Sequence, residues 1–278
     1  MMTILSGIDE LAHAWSKESP TNVKSFPLEK MFTCICENFK PSRTLDDLSQ
    51  ENWRFEKKLQ IDPNHTGPET VLEKSISLYA DDNPSNQVKW DNTFKWADQI
   101  KWANQVPTSS GFRGEGGGKR NIDLVLARSE SSFVFYELKV LRESDDSRKK
   151  PRFDKAFSAA IELLGYGLLY IYSRTRLTGH PYYSTSPLMQ TMIKTVHLRV
   201  LGTWRYYDLQ KDQRTGASIQ LQEMISNSLN LFAAAHSLKF SLDFKFDTFP
   251  QDFLWSVKDK NDKKKIRAAL ARIQPLFG

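Results

Sequence analysis

The sequence predicts an α/β fold, a central mixed β-sheet flanked by helices with further helical segments at both ends, on three observations. Two short apolar runs follow each other, Ile122-Asp123-Leu124-Val125-Leu126-Ala127 and Phe133-Val134-Phe135-Tyr136-Glu137-Leu138-Lys139-Val140. Both are too short for a helix and rich in β-branched or aromatic residues, as buried strands are. A third run of the same kind, Thr195-Val196-His197-Leu198-Arg199-Val200-Leu201, comes later. Around them lie longer segments with apolar residues at helical spacing, over residues 68–79, 159–172 and 218–235.

Taken in order, the first sixty residues read as helices broken by Pro20, Pro27 and Pro41, with Ile8, Leu11, Ala12 and Trp15 on one apolar stripe. Residues 51–59 read as an exposed polar helix. Asp62-Pro63-Asn64-His65-Thr66-Gly67-Pro68 is a loop of turn formers. It separates a helical N-terminal region, 1–62, from a core, 63–205. A helix starts at Pro68, a residue suited to the first helical position. Lys89-Trp90, Lys95-Trp96 and Lys101-Trp102 then repeat a basic-aromatic pair. Rings that stack on bases beside lysines that meet phosphates would make a nucleic-acid surface. A spacing of six scatters the rings around a helix, so core tryptophans are the competing reading. A first core strand ends through Gln105-Val106.

Gly111-Phe112-Arg113-Gly114-Glu115-Gly116-Gly117-Gly118-Lys119-Arg120 does not fit a phosphate-binding P-loop. Arg113 stands where a glycine is needed, Arg120 where a Ser or Thr is, and the segment precedes a strand instead of opening a helix. It reads as a loop at the mouth of a site, with Arg113, Lys119 and Arg120 available to phosphates. Arg128-Ser129-Glu130-Ser131-Ser132 connects the paired strands. After the second strand, Arg142, Arg148, Lys149, Lys150 and Arg152 form a basic loop that would meet a nucleic-acid backbone and make binding fall with salt. Residues 206–278 read as a mainly helical extension packed on the core. Near its end is the lysine-rich Lys258-Asp259-Lys260-Asn261-Asp262-Lys263-Lys264-Lys265-Ile266-Arg267, where Ile266, Leu270 and Ile273 share one face of a last helix and the charge reads as its solvated side.

Composition narrows the class. Apolar residues make up 40% and charged ones 26% of 278 residues, the balance of a globular chain with a sizeable core. Lys and Arg number 39 against 33 Asp and Glu, and a net charge of +6 suits a polyanionic partner. No uninterrupted apolar run reaches the roughly 18 residues that cross a bilayer. The N-terminus lacks the basic region and apolar stretch of a secretory signal, so a cytoplasmic protein is expected. Cys34 and Cys36, the only cysteines, lack the further ligands of a zinc site and read as reduced, partly buried thiols. His13, His65, His180, His197 and His236 form no ligand spacing.

The chemistry concentrates in the strand pair. Side chains alternate along a strand, so Phe133, Phe135, Glu137 and Lys139 share a face, with Glu137 and Lys139 about 7 Å apart at Cα. Asp123 lies on the neighbouring strand. Charged groups inside an apolar strand are costly to bury unless they pair or bind a cation. Two carboxylates and the Leu138 carbonyl are hard oxygen ligands of the kind Mg²⁺ takes, with Mn²⁺ as its substitute. Such an ion would polarise a phosphoryl oxygen and activate a water, while Lys139 would position that water or phosphate and stabilise developing negative charge. Phosphodiester hydrolysis is the reaction expected. A salt-bridged cluster at a sheet edge is the bland alternative.

Asp123, thirteen residues, then Glu137-Leu138-Lys139 resembles the signature of the PD-(D/E)XK nuclease superfamily, whose core is shared with type II restriction endonucleases. Ala159-Ala160-Ile161-Glu162-Leu163-Leu164-Gly165-Tyr166-Gly167 is similar to the helix that follows the catalytic strands in many members, where a polar residue often stands at the place of Glu162. The motif's proline is absent, since Ile122 precedes Asp123. Glu56-Lys57-Lys58 carries the same tripeptide pattern without a strand around it. The resemblance covers roughly residues 69–205. It implies a restriction-endonuclease-like core, Asp123, Glu137 and Lys139 as catalytic residues, and an auxiliary glutamate from a helix before the sheet. Glu73 is favoured for that role over Glu69, with Glu162 a further candidate. The resemblance also implies a nucleic-acid substrate, DNA before RNA, and is compatible with a homodimer. A non-catalytic nucleic-acid-binding or assembly subunit that keeps the fold is the rival reading.

Overall fold

A computed structural model describes residues 4–8, 10–11, 25–39, 52–58, 67–80, 101–109, 120–140, 152–177, 183, 186–207 and 213–277 of the chain. Six strands among them form one open mixed sheet in sequence order: β1 (Trp102–Pro107), β2 (Asn121–Ser129), β3 (Ser132–Lys139), β4 (Thr195–Gly202), β5 (Ser241–Thr248) and β6 (Gln274–Pro275). β1, β2 and β3 are antiparallel, β3, β4 and β5 parallel, and β6 returns antiparallel on β5. Helices α1 (Leu28–Asn38), α2 (Pro68–Tyr79), α3 (Arg152–Arg176), α4 (Trp204–Tyr207), α5 (Gln213–Ala235) and α6 (Lys263–Leu270) cover it. The α/β class and the mixed sheet flanked by helices agree with the sequence reading.

The two faces of the sheet bury different sets. Phe133, Phe135, Val125, Leu198 and Phe244 pack with α1, α3 and α5 in the larger core. Leu124, Val134, Tyr136, Leu138 and Leu201 pack with Leu72 and Ile76 of α2 and with Ile266 and Ala269 of α6. Helix α3 sits at the centre of the first layer, where Leu163, Leu164, Leu168 and Leu169 are almost wholly buried. Each such leucine contributes about 1.5–3 kcal/mol, which outweighs the cost of about 1 kcal/mol for each glycine in the helix. Gly167 is needed for close approach, because a Cβ there would lie 2.7 Å from Leu198 Cδ1.

Residues 156–176 of α3 are long and apolar enough to cross a membrane by length and composition, which counting uninterrupted apolar residues passes over. In the fold, 83% of that apolar window is buried. It is the core helix of the α/β layer.

Two expectations need correction. Residues 52–58 are not an exposed helix: they run extended beside β1, with the Trp53 amide bonded to Pro107 O at 2.6 Å and the Asn104 amide to Glu56 O at 3.2 Å. Trp53, Phe55 and Lys57 are buried while Arg54 and Lys58 face out, a period of two. Residues 206–278 also contribute more than helices, because β5 completes the parallel part of the sheet. Trp102 is a core residue stacked on Tyr136, as the competing reading of the basic-aromatic repeat has it. Lys89, Trp90, Lys95 and Trp96 lie outside the described residues, as do the loop 62–66 and the stripe residues Ala12 and Trp15.

Candidate active site

β2 and β3 position the first two carboxylates. Their ladder pairs Leu124 with Tyr136, and the same register continued by one residue sets Asp123 across from Glu137. There a side chain takes over from the main chain, the Leu138 amide donating to Asp123 Oδ2 at 2.8 Å. On the other flank the β1 register continues to place Gln105 across from Asp123. Gln105 has φ of 49°, a left-handed conformation that costs a non-glycine residue energy.

Glu137 is 3% exposed. Its Oε1 accepts a hydrogen bond from Lys139 Nζ, while its buried Oε2 has no protein partner. Leaving such an acceptor unsatisfied costs about 1–3 kcal/mol, more for a charged group, so a water, a proton or a cation beside it would be stabilising. Lys139 ends β3, and its ammonium also lies 3.7 Å from Glu69 Oε1 and 4.0 Å from Glu162 Oε2.

The helices deliver the remaining groups from both sides of the sheet. In the first turn of α2, Glu69 Oε2 accepts the Val140 amide at 3.2 Å. One turn on, Glu73 accepts from Asn104 Nδ2 at 2.8 Å and Gln105 Nε2 at 2.6 Å. From α3, Glu162 Oε1 accepts the Tyr166 hydroxyl at 2.9 Å and lies 3.3 Å from Arg120 Nη1. All three helix glutamates that the sequence suggests therefore converge. Glu69 and Glu162 reach the lysine, and Glu73 is held behind Asp123 by the amides of Asn104 and Gln105.

The electrostatics follow from burial. Glu73 is pushed up to about 7 by desolvation, against the two amide bonds that favour its charge. Burial and then the Glu73 charge lift Asp123 well above the ordinary carboxylate range. Burial and then Asp123 do the same to Glu137, with Lys139 opposing. Burial works against the Lys139 charge, yet Glu137, Glu69 and Asp123 outweigh it and hold its proton firmly. Like charges that burial and mutual repulsion oppose, with one oxygen unpartnered, fit a divalent cation as the missing neighbour. Among the described residues no three His, Cys, Asp or Glu side chains form a ready-made cage. Mg²⁺ does not require one, since it takes one or two carboxylates and completes its shell with waters and substrate oxygens.

Nothing in the sequence singles out Tyr206 of α4. Its hydroxyl is buried without a protein partner, and burial pushes its proton affinity up, with the charges of Lys139, Glu69 and Glu137 acting on it. The parallel pairing of β4 with β3 sets Gly202 beside Lys139, and a Cβ on Gly202 would lie 2.9 Å from the Tyr206 ring. Trp204-Arg205-Tyr206-Tyr207 carries no local signal of this. Tyr166 does have a signal, four residues after Glu162 on one helix face.

Of the residues expected to meet phosphates, Arg120 and Arg152 are described, and Arg152 opens helix α3 instead of lying in a loop. Arg113, Lys119, Arg148, Lys149 and Lys150 lie outside the described residues, as do His13, His65 and His180. His197 bonds Asp243, and His236 bonds Glu29. Cys34 and Cys36 are unbridged and half-buried, and burial raises both thiols. Comparison with family models, with curated proteins and with solved structures finds no match to this chain.

Proposed function

We propose that the chain is a metal-dependent nuclease with a restriction-endonuclease-like core of the PD-(D/E)XK kind, acting on nucleic acid and on DNA before RNA. The observation that carries this reading is the buried Glu137 carboxylate across from Asp123, with one oxygen on Lys139 and the other unpartnered. Asp123, Glu137 and the Leu138 carbonyl would hold Mg²⁺ or Mn²⁺, which when bound would polarise the phosphoryl group and lower the pKa of a water. Lys139, protonated and able to leave Glu137, would orient the attacking water and meet the charge on the phosphoryl oxygens. Glu69 and Glu162 keep that ammonium near the carboxylates, and Glu73 fixes Asn104 and Gln105 behind Asp123.

The direct Lys139 to Glu137 contact favours a second reading, a nucleic-acid-binding or assembly subunit whose charges only tie the sheet end together. Cleavage of a labelled panel of DNA and RNA with Mg²⁺ or Mn²⁺ separates the two. Metal-dependent cutting that EDTA abolishes and Lys139→Ala lowers at least about 100-fold is the expected result. Absence of cutting on every substrate, together with metal-independent binding, would favour the subunit.

A further inference from the structure

After β5 the chain crosses to the outer side of α2 and follows it from end to end. Trp255 Nε1 donates to Pro68 O at 3.0 Å, Ser75 Oγ to Lys260 O at 3.0 Å, and Arg267 Nε to Tyr79 O at 2.7 Å. Ile266 and Ala269 of α6 are buried against Leu72 and Ile76, which fixes this segment on the helix that carries Glu69 and Glu73. Residues 256–272 hold seven Lys or Arg and two Asp, a surplus of five in a chain whose net charge is +6. Both aspartates serve the segment itself. Asp259 accepts the Ser256 amide at 2.9 Å and Lys265 Nζ at 2.7 Å, and Asp262 accepts the Lys265 amide at 2.9 Å. Lys258, Lys263 and Lys264 face solvent.

Helix stability does not account for these lysines. Lys263, Lys264 and Lys265 occupy the first turn of α6, the end at which the helix dipole disfavours cations. A local choice that works against its own element points to a use elsewhere.

We propose that Lys258, Lys263 and Lys264 form a track for the phosphate backbone of a nucleic acid, carrying the substrate along α2 toward the carboxylates at its N-terminal end. The assignment rests on the nuclease reading for its substrate. Helix α2, along which this segment lies, is 12 residues long, about 18 Å at about 1.5 Å per residue. That matches about five base pairs of duplex at about 3.4 Å each. Nucleic acid that extends beyond the cleavage point by about that length meets the lysines.

The test is a variant carrying Lys258→Gln, Lys263→Gln and Lys264→Gln, with binding of labelled duplex DNA of about 30 base pairs followed against salt in EDTA. Binding of the duplex is expected to weaken at least about 10-fold, and the slope of log affinity on log salt to fall by about 2–3, near 0.9 for each phosphate that a lysine no longer neutralises. The thermal midpoint should be unchanged or higher, since cations leave a helix N-terminus. Equal affinity and slope in variant and parent would overturn the track, as would native protein that binds no duplex. Lysine-dependent binding to vesicles of anionic phospholipid but not to DNA would assign the surface to a membrane and also overturn it. Cleavage by the parent in Mg²⁺ is scored separately. Weakened binding by the variant without cleavage by the parent keeps the track and removes the nuclease reading, whereas cleavage with undiminished binding does the reverse.

Discussion

Glu137 and Asp123 carry opposite demands. Glu137 is buried and Asp123 half-buried, and desolvation opposes the charge of both, yet each is hydrogen-bonded in its charged form, one by Lys139 and the other by the Leu138 amide. Asp123→Asn keeps an oxygen for Leu138 and removes a charge that burial opposes. It should leave the thermal midpoint unchanged or higher while cleavage falls at least about 100-fold, measured by melting and by initial rate. Unaltered cleavage would take Asp123 out of the chemistry. Tyr206→Phe removes only a hydroxyl that has no protein partner. Melting should change by less than about 1 kcal/mol, since every hydrogen bond within the protein is kept. If the hydroxyl meets substrate or its water, kcat should drop about 10-fold or more with the fold intact. An equal kcat would make Tyr206 a packing residue. Gly202→Ala pushes on the rings of Tyr206 and Tyr207 and should destabilise by about 1–3 kcal/mol, because both lie against the strand.

Elements β4 and β5 are tied by a network apart from the candidate site. Asp243 bonds His197 Nδ1 at 2.8 Å and the Arg199 guanidinium, and His197 Nε2 lies 3.3 Å from Ser132 Oγ. The order Ser132, His197, Asp243 has the form of a proton relay. Arg199 already neutralises the aspartate and lies 3.3 Å from His197 Nδ1, so the arrangement serves as a tie between β3, β4 and β5. Burial opposes the Asp243 charge, but bonds from His197 and Arg199 outweigh it and hold the carboxyl at about 2. The unfolded value is about 3.9, so the folded state binds its proton less tightly. Its contribution to stability is present above about pH 4 and is lost as pH falls through about 2. With the Asp243 side chain 46% exposed, solvent screening keeps that contribution under about 1 kcal/mol. Melting from pH 5 to pH 2 should be less pH-dependent in Asp243→Asn than in the parent. Identical pH profiles would show that the tie adds nothing.

Element patterns also explain how much is legible in the sequence. β2, β3 and β4 are apolar runs whose periodicity is local, and Glu137 and Lys139 fall two residues apart on one of them. β5, Ser-Leu-Asp-Phe-Lys-Phe-Asp-Thr, alternates as cleanly, so its signal is present although the region around it reads as helical. Residues 52–58 mislead because Lys57 takes the buried position that follows Trp53 and Phe55, so the period of two breaks off into a charged run. Tyr206, Asn104 and Gln105 reach the site only through strand register between segments far apart in sequence, which no local pattern encodes.

On the scale of the molecule, the sheet forms a wall whose one end gathers five carboxylates, Glu69, Glu73, Asp123, Glu137 and Glu162, around Lys139 and Arg120. α2 arrives from one face and α3 from the other, so the acidic centre depends on both layers being packed. A surplus of positive charge lies in residues 256–272, seven Lys or Arg against two Asp, which lean on α2. A basic surface beside an acidic centre is the charge layout expected where a polyanion is gathered by one region and cut in another. The decisive measurement is the rate of phosphodiester cleavage as Mg²⁺ is raised, for the parent and for Glu137→Gln. A metal-dependent centre requires a rate that rises and saturates with Mg²⁺ in the parent and is at least about 100-fold lower in the variant at every concentration. Equal rates in the two proteins, or no cleavage by the parent with saturating Mg²⁺ and Mn²⁺, would contradict it.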